Sequence, residues 1–253
     1  MPTLITEYRY PEVIIRLNRP KANAINLEMV LELNEEITKI KTNRDAKGII
    51  LTGQGAFFSA GLDVVELYSY NEKEIMEFWR AFDKLVKNLV AFPKQFVAAI
   101  NGHSPAGGCV LALCADYRIM AQGAYRIGLN EVPVGIVVPE TIFNIYSFWL
   151  GRANAYRNLM EGKLFTADEA LAIGLVDEAV DQALVEEKAL EKLNQYFSFN
   201  RSVWKQSKLN LRRALLNKIS GDFMTTYEHT IKEWWAPETR EQIGKMVEGM
   251  KKK

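Results

Sequence analysis

The sequence predicts an α/β fold with mainly parallel strand pairing, followed by a purely helical C-terminal region. Three observations predict it. Short apolar runs alternate with amphipathic helical stretches through the first half, a pattern that suggests right-handed crossover units. Glycine-containing turns close several of those runs. From about Gln182 onward only helical patterns occur, broken at Asn200, Gly221 and Pro237.

Taken in order, Val13-Ile14-Ile15-Arg16-Leu17 reads as a strand ended by the turn former Asn18-Arg19-Pro20. Asn26 stands where it can cap a helix with apolar positions at Leu27, Val30, Leu31, Ile37 and Ile40. Gly48-Ile49-Ile50-Leu51-Thr52 is a second strand, closed by Gly53. A clearer helix follows, with Ile75, Phe78, Trp79, Phe82, Leu85, Val86 and Leu89 on one stripe. Phe96-Val97-Ala98-Ala99-Ile100 is a third buried strand, ended by Asn101-Gly102. Thr166-Ala167-Asp168-Glu169 is a capping box, and Gly174 sits where its helix should stop. The helical tail carries Phe223, Trp234 and Trp235 with no strand to pack on, so its apolar face must be buried on the core or on a neighbouring subunit.

Composition excludes several function classes. The 253 residues are 48% hydrophobic and 25% charged, which is ordinary for a soluble globular protein. Lys+Arg of 32 against Asp+Glu of 31 argues against a nucleic-acid binder, which needs a clustered positive surface. The basic tip Met250-Lys251-Lys252-Lys253 reads as a solvated end. Cys109 and Cys114, in an apolar segment, read as buried free thiols. With His103 and His229 the only histidines, no cluster has metal-ligand spacing, so no metal is expected. No apolar run reaches the length of about 18 residues that spans a membrane. The first residues lack the basic start and apolar block of a signal peptide, so a cytoplasmic protein is the expectation.

Two turns and a loop carry the candidate chemistry. Phe57-Phe58-Ser59-Ala60-Gly61-Leu62-Asp63 and Asn101-Gly102-His103-Ser104-Pro105-Ala106-Gly107-Gly108 each follow an apolar strand and precede a helical stretch. Small residues there let backbone N–H groups approach a ligand, and two donors converging on one carbonyl oxygen make an oxyanion hole. Alone, a Gly-Gly pair is equally a loop or a close packing point. Neither turn matches the Gly-Lys-Ser/Thr phosphate loop or the three-glycine dinucleotide fingerprint, and there is no Gly-x-Ser-x-Gly elbow. The loop Ile127-Gly128-Leu129-Asn130-Glu131-Val132-Pro133 offers Glu131 among apolar neighbours, either a desolvated acid–base group or a surface carboxylate.

Together these segments resemble the crotonase, or enoyl-CoA hydratase/isomerase, superfamily over nearly the whole chain. The motifs are Leu17-Asn18-Arg19-Pro20-Lys21-Ala22-Asn23-Ala24-Ile25-Asn26, Phe58-Ser59-Ala60-Gly61-Leu62-Asp63, and Ile100-Asn101-Gly102 with Ala106-Gly107-Gly108. Ala115-Asp116-Tyr117-Arg118 and Phe165-Thr166-Ala167-Asp168-Glu169-Ala170-Leu171 with Gly174-Leu175-Val176-Asp177 complete them in order. The resemblance implies a crotonase-like ββα spiral core over 1–190 and a C-terminal helical trimerisation region over 191–253. It implies a homotrimer or hexamer, and an oxyanion hole from the N–H groups of Leu62 and Gly107. It also implies that Ala60, Gly61, Leu62, Asp63 and Val64, with the Lys21-Ala22 turn nearby, hold the CoA moiety of an acyl-CoA substrate, with no cofactor.

Hydratases of this superfamily resemble one another in having two glutamates. Here the first of those positions is Val110 and the second is Glu131. One carboxylate suits removal of a proton from C2 and its return at C4, a double-bond shift. The loop, with Ser104-Pro105-Ala106-Gly107-Gly108-Cys109, is similar to that of the mitochondrial-type Δ3-Δ2-enoyl-CoA isomerases, in which the Asn before the Glu, here Asn130, is counted with the substrate site. Pro139-Glu140-Thr141 departs from the aromatic stretch expected there. The expected activity is therefore 3-enoyl-CoA isomerisation with Glu131 as base and acid. The alternatives are another crotonase reaction (hydration, decarboxylation or thioester hydrolysis) and a non-catalytic member that binds acyl-CoA or RNA.

Overall fold

The computed structural model describes residues 2–251; Met1, Lys252 and Lys253, and so most of the basic tip, lie outside the described residues. Its frame is a six-stranded sheet in the order β1 (Leu4–Arg9), β2 (Glu12–Leu17), β3 (Gly48–Gly53), β4 (Gln95–Ile100), β6 (Tyr117–Ala121) and β8 (Glu178–Val180). Only β1 and β2 pair antiparallel; every other pair is parallel. A second sheet consists of β5 (Ser104–Pro105) and β7 (Ile127–Gly128). Strands β3 and β4 are buried at every position because both faces are covered, which is why they read as unbroken apolar runs. Alternate residues divide between two cores. Ile49, Leu51, Phe96 and Ala98 face α1 (Leu27–Thr42) and α3 (Glu72–Val90). Ile50, Val97, Ala99, Ile119 and Ala121 face α8 (Val185–Phe197) through Val185, Ala189 and Leu193. The boundary expected at residue 190 falls inside that helix.

The local signals work as their chemistry requires. Asn26 accepts the N–H of Met29 at 3.0 Å and starts α1. Reciprocal capping boxes start α3 at Asn71/Glu74 and α7 (Ala167–Ala172) at Thr166/Glu169. The remaining helices that precede the tail are α2 (Val64–Ser69), α4 (Gly107–Leu113), α5 (Glu140–Leu150) and α6 (Arg152–Glu161). Cys109 and Cys114 are free and buried, as expected. Among the described residues no helix is long and apolar enough to cross a membrane.

The tail forms α9 (Arg201–Leu211), α10 (Arg213–Ile219), α11 (Phe223–Trp234) and α12 (Pro237–Lys251). Of the two surfaces open to it, its aromatic residues choose their own core. Tyr227 stacks on Phe223 at 4.8 Å and reaches Trp79 of α3 at 5.5 Å, and Trp234 is buried in the same cluster. Charge fastens the rest. Asp116 receives Lys208 at 2.8 Å and Arg212 at 3.0 Å, and it also accepts the N–H of Phe96 at 2.9 Å. Arg212 donates further to the carbonyls of Val90, Cys114 and Ala115, closing the ends of α3 and α4. Removing Asp116 would leave two buried cations unpaired. Asp116→Ala is therefore expected to cost about 3–5 kcal/mol, measured by denaturant unfolding; a loss under about 1 kcal/mol would show that this network does not hold the tail.

Candidate functional site

The two glycine turns meet because backbone pairing forces them together. Ile25 forms a parallel bridge with Leu62, in which the Ile25 N–H donates to Gly61 at 2.8 Å and the Asp63 N–H donates to Ile25 at 2.9 Å. Those two bonds occupy the side of the segment facing Ile25, so the intervening Leu62 N–H points the other way. The second turn is held by β5, whose pairing with β7 sets Ser104 against Ile127 and Pro105 against Gly128. Ala106 then takes φ 48, a left-handed conformation that is strained for a residue with a side chain, and α4 begins at Gly107. Among the described residues neither the Leu62 N–H nor the Gly107 N–H donates to another protein group. The backbones are in close contact, since a Cβ added at Gly61 would lie 3.1 Å from the Gly107 nitrogen. Two free N–H groups at one spot, one of them at a helix N-terminus, suit developing negative charge on a carbonyl oxygen.

The same β5–β7 pairing delivers Glu131. Three residues after Gly128 the chain turns tightly, with the N–H groups of Val134 and Ile136 donating to the Glu131 carbonyl at 3.1 and 2.9 Å. Glu131 thereby lines one small cavity of ≈ 20 Å³ with Leu62, Gly107 and Val110. It is the single acidic group in that lining. The residue is 8% exposed, and its Oε2 is buried and meets no donor. Burial among apolar side chains pushes its pKa from the ordinary 4.5 to about 7. A proton acceptor poised there must be ionised to act. For a reaction that begins with proton abstraction, kcat/KM should therefore rise about tenfold per pH unit below 7 and level off above it. A pH–rate profile checks this, and a flat profile from about pH 5.5 to 8 would remove Glu131 from the base role.

Val110, the position that the resemblance gives to the first hydratase glutamate, is 2% exposed on α4 and lines the cavity. The other sequence-predicted residues are distributed around this centre. Ala60 is tied to the Lys21-Ala22 turn by its N–H donating to Ala22 at 2.9 Å, and Lys21 is exposed beside it. The side chain of Asp63 is occupied, capping α2 through the N–H of Glu66 at 2.9 Å and pairing with Arg19 at 2.5 Å. Val64 opens α2. Asn130 adjoins Glu131 with a buried, unpartnered Oδ1 but does not line the small cavity. Glu140 begins α5 on the exposed side and does not line it either. Sequence reading missed the apolar wall: Trp79, Phe82, Ile136, Val138, Pro139 and Ile142. Trp79 and Phe82 lie on a stripe indistinguishable from core, so periodicity carries no sign that their outer edges border a cavity.

Comparison with known proteins agrees with this geometry. The family model described as enoyl-CoA hydratase/isomerase matches residues 12–233. Enoyl-CoA delta isomerase 1, mitochondrial, of Mus musculus is 36% identical over 208 residues, covering 81% of this chain and 72% of the relative. The short-chain-enoyl-CoA hydratase of Clostridium acetobutylicum is 32% identical over 214 residues, covering 84% and 82%. The crystal structure of human mitochondrial delta3-delta2-enoyl-CoA isomerase superposes with a TM-score of 0.94 at 28% identity, covering 99% of this chain and 98% of that one. A family match spanning most of the chain, a shared fold over its whole length and two glycine turns converging on one glutamate lead to one assignment: the chain belongs to the enoyl-CoA hydratase/isomerase family.

Proposed function

We propose that the protein isomerises 3-enoyl-CoA thioesters to trans-2-enoyl-CoA. The thioester oxygen accepts from the Leu62 and Gly107 N–H groups, which lowers the energy of a dienolate. Glu131 takes the C2 proton, leaving a negative charge spread over the thioester oxygen, C2 and C4, and returns the proton at C4. The backbone from Ala60 to Val64, the Lys21-Ala22 turn and Asn130 are the residues we assign to the CoA and substrate contacts. No cofactor takes part, since the CoA thioester is itself the substrate.

One observation carries the choice of isomerisation over hydration: the cavity lining holds Glu131 and Val110 and no second carboxylate. Adding water to a double bond requires one group to hold the water and another to supply a proton at the neighbouring carbon. A proton shuttle between two carbons requires one group. Purified protein given 3-enoyl-CoA and 2-enoyl-CoA separately should turn over the first by bond migration and leave the second unhydrated. Rapid hydration of the 2-enoyl substrate would overturn the reading.

The assembly we expect is a homotrimer or hexamer. Its support here is apolar surface on the tail: Leu211 is 77% and Val203 62% exposed on α9, the helix that also carries the buried Lys208. Light scattering after size exclusion would read the mass, and a monomer at micromolar concentration would end this expectation.

A further inference from the structure

Glu131 Oε2 is not the only buried polar atom near the site without a partner. Tyr146, on α5, is fully buried, and its hydroxyl is hydrogen-bonded to nothing among the described residues. An unpaired buried hydroxyl destabilises a fold, so a tyrosine at an apolar position is worse than a phenylalanine unless its hydroxyl is used. The helix fixes where that hydroxyl lies. Ile142 lines the catalytic cavity, and Tyr146 stands one turn on, on the same face of α5 and in the same core cluster as Cys109 of α4. The two helices are tied further along by Trp149 donating to the Leu113 carbonyl at 2.8 Å. Among the described residues, Cys109 and Glu131 are the ionisable groups that act on the Tyr146 hydroxyl. Burial pushes the Cys109 thiol up, so it stays protonated and is a weak acceptor. Arg118, which also acts on that thiol, is paired with Asp177 at 2.6 Å. An ionised Glu131 is the one strong acceptor left to the hydroxyl.

We propose that Tyr146 is a positioning residue for Glu131: when the carboxyl ionises, the Tyr146 hydroxyl donates to Oε2 and leaves Oε1 directed at the substrate. Neither oxygen gives up another partner to form this bond. The terminal torsion of a glutamate side chain is broad, so the carboxyl turns toward the hydroxyl with the backbone in place. The inference rests on the isomerase reading above for what the carboxyl then does. The proton taken from C2 resides on Oε1, the same oxygen from which C4 receives it. A carboxylate with both oxygens free could instead take the proton on the buried one, where C4 does not meet it.

The test is Tyr146→Phe in the full-length protein, which keeps the ring that fills the core. It is read as the pH dependence of kcat/KM on 3-hexenoyl-CoA and as melting temperature across the same pH range. A hydrogen bond to the ionised form favours that form, so its loss should move the acid limb up by about one pH unit. Well below the limb kcat/KM should then fall about tenfold, and two units above it stay within about twofold of native. Melting should carry the same sign. At about pH 8 the variant melts below the native protein, because the buried carboxylate has lost its donor. At about pH 5, where Glu131 is protonated, that deficit disappears. In a Glu131→Gln background the effect of Tyr146→Phe on melting should be the same at every pH. An unmoved limb and a pH-independent melting difference, in an enzyme that isomerises, would overturn the inference and leave the isomerase reading standing. Partial misfolding gives that same result, since it lowers kcat/KM by one factor at every pH and moves no midpoint. A native protein without turnover, in which Tyr146→Phe still produces the pH-dependent melting difference, would remove the isomerase reading and retain the pair.

Discussion

Glu131→Gln is expected to lower the rate of isomerisation by about 10⁴-fold, the upper end of the range for a positioned acid–base group. The upper end applies because one carboxylate serves both transfers: the amide can neither accept the C2 proton nor deliver it to C4. Binding should survive, since the oxyanion donors are the backbone groups of Leu62 and Gly107. The same substitution has a thermodynamic signature of opposite sign. A carboxyl whose pKa is near 7 when folded and near 4.5 when unfolded binds its proton more tightly in the fold. That contribution is fully present below about pH 4.5 and disappears as pH rises through 7, where the buried charge must form. At pH 8 the ionised side chain costs the fold roughly 3 kcal/mol. Glu131→Gln should therefore melt higher than the native protein at pH 8, by a margin that shrinks toward pH 5. A variant that keeps more than about a tenth of native activity would sink the catalytic role; equal melting curves at pH 8 would sink the desolvation argument alone.

Gly61→Ala is expected to lower kcat by about 10²–10³-fold, the loss typical of one disabled oxyanion donor. Gly61 holds φ +85, and its new Cβ would sit 2.9 Å from the Ala106 Cβ, 3.1 Å from the Gly107 nitrogen and 3.1 Å from the Pro105 carbonyl. The backbone carrying the Gly107 N–H must retreat, and it carries the donor with it. Left-handed strain alone is separable. Gly55 holds a similar φ of +81, and a Cβ added there would meet nothing within 4 Å, so Gly55→Ala supplies strain without touching the donors. Both variants should lose about 1–2 kcal/mol of stability, and only Gly61→Ala should lose turnover. Equal kcat in the two would show that the Gly107 N–H does not hold the oxyanion.

The strands visible in the sequence are those buried on both faces, β3 and β4, and the largely buried β2, because continuous apolar runs and closing turns mark them. The edge strand β1 escaped, since its side chains are largely exposed and mix Thr6, Glu7 and Arg9 with Leu4 and Ile5. Strands β5, β7 and β8 have two or three residues, too few to show a period. Helices α5 and α6 were also unread: Pro139 starts the first without a side-chain cap, and the second is mostly exposed. For the tail the residues left two burial partners open, and Tyr227 against Trp79 together with the Asp116 network settles where its inner face goes.

Residue order alone establishes the family, the two turns that carry the oxyanion donors, and the pairing of Glu131 with Val110 in place of a second glutamate. These reside in residue identity at a fixed spacing, which local reading preserves. Folding in three dimensions decides that the Leu62 and Gly107 N–H groups are unengaged among the described residues, and that both residues line one ≈ 20 Å³ cavity with Glu131. It also decides that Trp79, Phe82 and Val138 wall that cavity. The reason is that the Ile25–Leu62 bridge and the β5–β7 pair are hydrogen bonds between backbone groups far apart in the chain. Backbone groups are the same in every residue but proline, so no side-chain pattern records which of them remain free.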